Sequence, residues 1–386
     1  MIKKIGLLTV GRSDFYRYIP ILDSLKKIES VDFKLIVSGG HLLRDFGYTW
    51  KEVAKSGYPF YKTPIIKKIS KQSKLIGNMI ARDTIAINKI LKNYNPDLIV
   101  LLGDRYELLS GATAALSFSI PIVHIHGGAI TEGAIDDLIR HSISKLSHYH
   151  LVSNPKYAER IKQLGEEKWR VKVVGAPGLD HIKKNCKYNI FELSKILKIN
   201  LNKGFILVSF HPVTQELENT EYYIKQLIKS LKKETLNCVL TYPNNDPGSE
   251  VIINHLTKFN REFSNKTVLS KNLGVEVFTS LMFHAKLFVG NSSSGIVESP
   301  SLCLPTVNIG TRQKGKIKSK NIIDTNYSAK DISNGINKAK SMYFKNKIKN
   351  VKNPYGDGKS GKRIAKILKK LIIDKKLLKK KFIDYE

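Results

Sequence analysis

With 386 residues the chain is longer than one hydrophobic core usually serves, and its 42% apolar and 25% charged composition excludes a disordered or collagen-like polymer. No apolar run approaches the roughly 20 residues of a membrane-spanning helix, which excludes an integral membrane protein of that kind. The 65 basic residues against 33 acidic ones leave +32, of which the excess is lysine set among Ile and Leu, so an anionic small substrate is expected and nucleic acid is not.

Lys4–Val10 reads as a strand ending at Gly11, Tyr18–Ile28 as a helix, and Phe33–Ser38 as a second strand closing on Gly39-Gly40. Ser73–Tyr94 is a long periodic helix with Leu75, Met79, Ala86, Ile90 and Leu91 on one stripe. Asp97–Gly103, Pro121–His126, Tyr149–Ser153 and Val171–Gly175 follow as strands, with helices at Leu108–Phe118 and Asp136–Leu146. After the lysine-rich, weakly patterned stretch Lys183–Lys203 come Phe205–His211, Asn237–Pro243, Thr267–Ser270, Leu287–Ser292 and Pro305–Ile309. Strands that are nearly continuous apolar runs, separated by helical patterns, predict parallel sheets covered on both faces. The expected fold is α/β, two doubly wound Rossmann-like domains over residues 1–178 and 179–365, with a lysine-rich helix at 366–386 packing back on the first. The N-terminus turns polar too soon for a signal peptide, and Cys186, Cys238 and Cys303 make neither a disulfide framework nor a zinc knuckle. A cytoplasmic location is therefore expected.

The informative residues cluster at predicted strand ends, where such sheets bind ligands. Gly11-Arg12-Ser13-Asp14 can cradle an anion or be a plain strand-to-helix turn, and it is not a dinucleotide fingerprint. In Gly103-Asp104-Arg105-Tyr106-Glu107 the Asp is a candidate general base or a helix cap, with its neighbour Arg105 lowering its pKa. The segment from His124 to His141 is the densest in polar groups. His124 and His126 share a strand face by the period of two, and Asp136 can meet Arg140 as Asp137 can meet His141, four residues apart on a helix. A metal reading of the two His is weaker than an acid–base one, and no metal is expected. His211 ends a strand in FHPVT, Asn244 lies in the polar turn YPNND, and Arg312 follows another strand. In GNSSSGIVE the small residues let backbone N–H groups approach a diphosphate, unless the serines merely cap a helix, while Glu298 can accept from ribose hydroxyls.

Taken in order, GRSD, GDR, HIHGG with TEGAIDDLIRH, FHPVT, YPNND, GNSSSG and NIGTRQKG span nearly the whole chain. The set resembles the hydrolysing UDP-N-acetylglucosamine 2-epimerases, which supply free N-acetylmannosamine for sialic acid, or a related sugar for legionaminic acid. The resemblance implies a glycosyltransferase-B-like fold with the active site in the interdomain cleft, no cofactor, and a homodimer or homotetramer. By the same resemblance Ser292, Ser293, Glu298, Asn244 and Arg312 hold the nucleotide, joined by Arg12, Ser13, Arg105 and His41, while Asp104, Asp136, Asp137, Arg140 and His211 carry the chemistry. Where the sialic-acid members have a catalytic Glu, this chain has His126, and Ala129 stands where an acid is expected after the two glycines. Glu132 is the candidate for the missing carboxylate. The expected reaction removes the C2 proton, expels the diphosphate from C1 and adds water. The alternatives are a non-hydrolysing 2-epimerase, a glycosyltransferase of the same fold, or a non-catalytic nucleotide-sugar-binding module.

Overall fold

Near-continuous apolar runs such as LIVLL and FILVS have no polar face to leave in water, and in the computed structural model each becomes a strand buried on both faces. The structure describes residues 2–44, 47–64, 76–131, 135–182, 184–213, 215–243 and 246–384. The chain forms two compact units, one of Met1–Ala129, Ile135–Asp180 and Tyr355–Glu386, the other of Ile130–Ala134 and His181–Pro354. Among the described residues no helix is long and apolar enough to cross a membrane.

The first unit holds β1 (Lys3–Thr9), β2 (Val31–Val37), β3 (Phe60–Lys62), β4 (Leu98–Leu102), β5 (Ile122–Ile125), β6 (Tyr149–Val152) and β7 (Val171–Val173). They lie in the order β3-β2-β1-β4-β5-β6-β7 with every pairing parallel. The second unit holds β8 (Phe205–Ser209), β9 (Asn237–Thr241), β10 (Thr267–Ser270), β11 (Leu287–Gly290), β12 (Thr306–Ile309) and β13 (Ile322–Thr325), ordered β10-β9-β8-β11-β12-β13 and again all parallel. Both are doubly wound sheets, as the alternating pattern predicts.

Several elements differ from expectation. The first helix runs Arg12–Leu25, so the GRSD turn is already helical; the Asp14 carboxylate accepts from the Val10 amide at 2.9 Å and the Thr9 hydroxyl at 2.7 Å, closing the turn from inside. The Lys183–Lys203 stretch contains a helix, Ile190–Leu197, started by a capping box. The Asn189 side chain accepts from the Phe191 and Glu192 amides, and Glu192 accepts from the Asn189 N–H. The long helix is described over Ile76–Tyr94, with Met79, Ala86 and Leu91 buried; Leu75 lies outside the described residues.

The C-terminal return begins at Tyr355 rather than 366. The reason is one amphipathic helix, Ser360–Lys370, whose Ile364, Ala365 and Leu368 join the cluster containing Tyr18, Ile21 and Leu22 of the Arg12–Leu25 helix. The two approach so closely that a Cβ on Gly361 would collide with the Pro20 backbone. Asp180 caps the returning helix, accepting from the amides of Ser360 at 2.9 Å and Gly361 at 2.6 Å.

Candidate active site

In a doubly wound sheet the crevice lies where the strand order reverses, outside the carboxyl ends of the two strands there. In the first sheet these are β1 and β4, followed by Arg12 and Ser13 and by Asp104 and Arg105 respectively. In the second they are β8 and β11, followed by His211 and by Ser292 and Ser293. Topology alone thus gathers these sequence-predicted residues at the two switch points.

In the first unit the organising residue is Arg140, whose side chain is 4% exposed on the Ile135–Leu146 helix. Its Nε donates to Asp104 Oδ2 at 3.1 Å and its Nη2 to the same oxygen, while Nη1 donates to Asp137 Oδ1 at 2.8 Å and to the Ala129 carbonyl at 2.9 Å. A buried guanidinium therefore grips two carboxylates at once. Arg140 reaches Asp137, three residues back. One expectation is corrected: the guanidinium on Asp104 is that of Arg140 rather than of its neighbour Arg105. Arg105 turns to Glu107, which is buried and accepts from its Nη2 at 3.2 Å and its Nε at 3.3 Å. Its side chain stays 53% exposed, held out by that anchor. Asp136 is half-buried on the same first helical turn as Asp137, and the expected Asp137–His141 pair forms at 3.6 Å.

Arg12 stands on the first turn after β1, with Nε 3.3 Å from Glu52 and the guanidinium 5.7 Å from the Tyr16 ring centroid, and Ser13 beside it is exposed. His41 does not present itself to a nucleotide. It is fully buried, and both ring nitrogens are engaged, Nε2 with the Thr9 hydroxyl at 2.9 Å and Nδ1 with Thr49 at 2.8 Å. Burial holds its pKa down to about 4, so it is a neutral brace behind the end of β1.

His124 and His126 do not share a strand face. β5 ends at Ile125, and His126 takes the left-handed conformation at φ 72, costly for a residue with a Cβ. Desolvation pushes its pKa down to about 3, with the positive charge of Arg17 adding to the effect. It is a neutral imidazole rather than a group poised near pH 7. His124 faces inward, bonded to the Gly103 carbonyl and the Ser144 hydroxyl. Among the described residues no group of three or more His, Cys, Asp or Glu side chains is placed to hold a metal ion.

In the second unit Gly290 leaves β11 at φ 143, where any Cβ would overlap the Ser209 carbonyl. The Asn291 side chain then pairs with the His211 peptide, accepting from its N–H at 2.7 Å and donating to its C=O at 2.8 Å. This fixes the two switch-point loops to each other. The His211 ring is buried and its pKa falls to about 3, from desolvation first and the nearby Arg312 second. The expected helix running to Glu298 is shorter, Ser294–Val297, with Ser292 buried before it and its hydroxyl 3.4 Å from the Ser294 amide. Ser293 and Glu298 flank that single turn, both half-buried. Arg312 Nη1 and Gln313 Nε2 both donate to the Asn291 carbonyl, at 3.2 and 2.8 Å. Glu132 and Asn244 lie outside the described residues. Sequence reasoning missed Asn291, Glu107 and Glu52. The first two sit inside quoted motifs, but nothing in the spacing marks them as the anchors of His211 and Arg105.

Residues 23–369 match the family described as UDP-N-acetylglucosamine 2-epimerase. A GDP/UDP-N,N'-diacetylbacillosamine 2-epimerase (hydrolyzing) of Campylobacter jejuni is 38% identical over 344 residues, 89% of each chain. A UDP-N-acetylglucosamine 2-epimerase of Neisseria meningitidis is 34% identical over 88% of each. A UDP-N,N'-diacetylbacillosamine 2-epimerase (hydrolyzing) of Legionella pneumophila is 31% identical over 98% of this chain and 99% of its own. The fold matches a crystal structure of a Neisseria meningitidis UDP-GlcNAc 2-epimerase bound to UDP-GlcNAc, with TM-score 0.82 and 18% identity over 95% of this chain and 99% of that one. Two doubly wound sheets of the glycosyltransferase-B-like type, a guanidinium between two carboxylates and similarity along nearly the full length agree: this chain belongs to the UDP-N-acetylglucosamine 2-epimerase family and is an enzyme of the 2-epimerase type.

Proposed function

We propose that this enzyme is a hydrolysing sugar-nucleotide 2-epimerase, acting in the cytoplasm as a homodimer or homotetramer. It converts UDP-N-acetylglucosamine, or a UDP- or GDP-linked 2,4-diacetamido-2,4,6-trideoxyglucose, into the free 2-epimer and the nucleoside diphosphate. The observation that carries this reading is Arg140 holding both Asp104 and Asp137 at the carboxyl end of the first sheet. A reaction that removes a carbon-bound proton needs an ionised carboxylate with a fixed aim, and a buried guanidinium provides both.

In this scheme Asp104, whose side chain is 35% exposed, takes the C2 proton while the C1–O bond to the diphosphate breaks, giving a 2-acetamidoglucal. Arg105, steadied by Glu107, and Arg12 meet the charge that builds on the leaving oxygen, and Arg312, Ser292, Ser293 and Glu298 are assigned to the nucleotide. Water then adds its hydroxyl at C1 and a proton returns to C2 on the opposite face, with Asp136, Asp137 and Glu132 the carboxylates assigned to that half. The reaction is redox-neutral. Half-buried His126 and buried His211, both held neutral by desolvation, are assigned hydrogen-bonding roles. The names of the Campylobacter and Legionella relatives support the diacetamido sugar, that of the Neisseria relative N-acetylglucosamine.

Incubation with each nucleotide sugar in deuterated water tests the reading. Free nucleoside diphosphate together with deuterium at C2 of the released sugar is the expected result. Deuterium at C2 with the nucleotide retained would make it a non-hydrolysing epimerase. Nucleotide release without C2 exchange would indicate transfer or plain hydrolysis and overturn the proposal.

A further inference from the structure

We propose that His124 is a positioning residue for Asp104, tying the loop that carries Asp104 to the helix that carries Arg140; this rests on the epimerase reading above. His124 lies on β5, fully buried, so it touches no substrate. Its Nε2 is 2.8 Å from the Gly103 carbonyl oxygen, which can only accept, so Nε2 carries the hydrogen. In a neutral ring Nδ1 is then the acceptor, and the Ser144 hydroxyl 3.0 Å away donates to it. Burial keeps the ring neutral, with its pKa lowered to about 4.

Each end of this bridge matters. Gly103 sits at φ 105, where the chain leaves β4, and its N–H donates to the Ile125 carbonyl at 3.0 Å. With its carbonyl held by His124 as well, both polar groups of Gly103 are fastened to β5, and the next residue, Asp104, leaves in one direction. Ser144 lies one helical turn beyond Arg140 on the Ile135–Leu146 helix. The His124 bridge and the Arg140–Asp104 ion pair are therefore two separate links between the same two elements. Gly127 supplies an independent sign that the bridge is built in. A Cβ there would stand 2.8 Å from Ser144 Oγ and 3.1 Å from His124 Nδ1, so only glycine leaves room for the bond.

The test compares nucleotide release, C2 deuterium exchange and UDP affinity in wild type, His124→Leu, His124→Gln, Ser144→Ala and the double variant His124→Leu/Asp104→Asn. Gln places an amide N–H near the position of Nε2. Misplacing a reacting group by about an ångström costs up to roughly a hundredfold, so His124→Leu should lower kcat about ten- to hundredfold, with KM and UDP affinity within about threefold. His124→Gln should restore most of the loss, and Ser144→Ala should lose severalfold. Because His124 acts only through Asp104, the double variant should be no slower than Asp104→Asn alone. A full additional loss in that background, or wild-type turnover in His124→Leu, overturns the inference while leaving the epimerase reading intact. If His124→Leu does not fold, Ser144→Ala and its double variant with Asp104→Asn carry the same comparison, and wild-type turnover in Ser144→Ala then overturns it. A wild-type enzyme that exchanges no C2 proton removes the epimerase reading, and this inference with it.

Discussion

Asp104 and its immediate partners concentrate the chemistry. Replacing Asp104 by Asn keeps shape and most hydrogen bonding but removes the proton acceptor. Turnover should fall by the roughly 10²–10⁴ that a positioned base contributes, while nucleotide affinity stays within severalfold. Isothermal titration with UDP beside single-turnover C2 exchange separates the two, and collapse of both would make Asp104 a binding residue. Arg140→Lys should cost nearly as much, because three donors on one compact nitrogen cannot reproduce the four bonds that the planar fork sends from three nitrogens to Asp104, Asp137 and the Ala129 carbonyl. His126 makes the opposite prediction about pH. A neutral imidazole titrating at about 3 contributes no limb near neutrality, so His126→Asn should lower kcat/KM without changing the shape of its profile between about pH 5.5 and 8.5. The loss of a limb near 6–7 would contradict this. At this scale the sequence points to the right residues but not to their partners. Arg105 adjoins Asp104 in the chain, yet the guanidinium that reaches it comes from 36 residues away, and only folding of the helix against the strand ends selects it.

Strands and helices were legible in proportion to how deeply they are buried. Central strands read as unbroken apolar runs and are where the pattern puts them, most ending a residue or two early as the chain bends into the loops beyond the sheet, while β12 ends at Ile309 as expected. The two missed strands, β3 and β13, are the outermost of their sheets, with three and four residues and at most one buried side chain each. Edge strands of that length carry little pattern, although the equally short edge strands β7 and β10 were read. The C-terminal segment shows what a buried charge adds. Arg170, with its side chain 1% exposed, pairs with Glu167 at 2.6 Å and donates to the carbonyls of His148, Lys376, Leu377 and Lys379 at 2.7–3.0 Å. Arg170→Met would take this donor from four carbonyls and leave Glu167 with Trp169 Nε1 and the Lys381 amide, a loss of about 1–3 kcal/mol. Limited trypsin digestion should then cut first among Lys375–Lys381, and unchanged cleavage kinetics would show that other contacts hold the segment.

Across the whole molecule, the histidines that folding desolvates set the response to acid. His41, His124 and His148 titrate at about 4 and His126 and His211 at about 3 when folded, against 6.5 in an unfolded chain. Between those values the unfolded chain binds more protons, so stability present at pH 7 is lost as the pH falls through 6.5 towards 4. Asp14 at about 6 and Asp83 at about 7 act in the reverse sense, since folding raises them and the folded state protonates first. Five groups against two, with His141 and His150 shifted in the same direction as the five, leave a net loss on the order of a few kcal/mol from pH 7 to 5, read as a falling urea midpoint; a midpoint that rises on acidification would refute it. The +32 charge is a separate matter. It should make the enzyme cling to polyanionic resins at low salt and release near 0.15 M, where screening extends to only about 8 Å.

The return of the chain to its first unit has a consequence for biosynthesis. The face of the Arg12–Leu25 helix that Ile364, Ala365 and Leu368 cover is made first by the ribosome and covered last. Throughout synthesis of everything between, that apolar surface waits in the nascent chain, and a ribosome must emit residues beyond Leu368 before the first unit can close. A chain terminated at Pro354 should therefore engage chaperones or aggregate through its N-terminal half, although every catalytic side chain assigned to that half is already present.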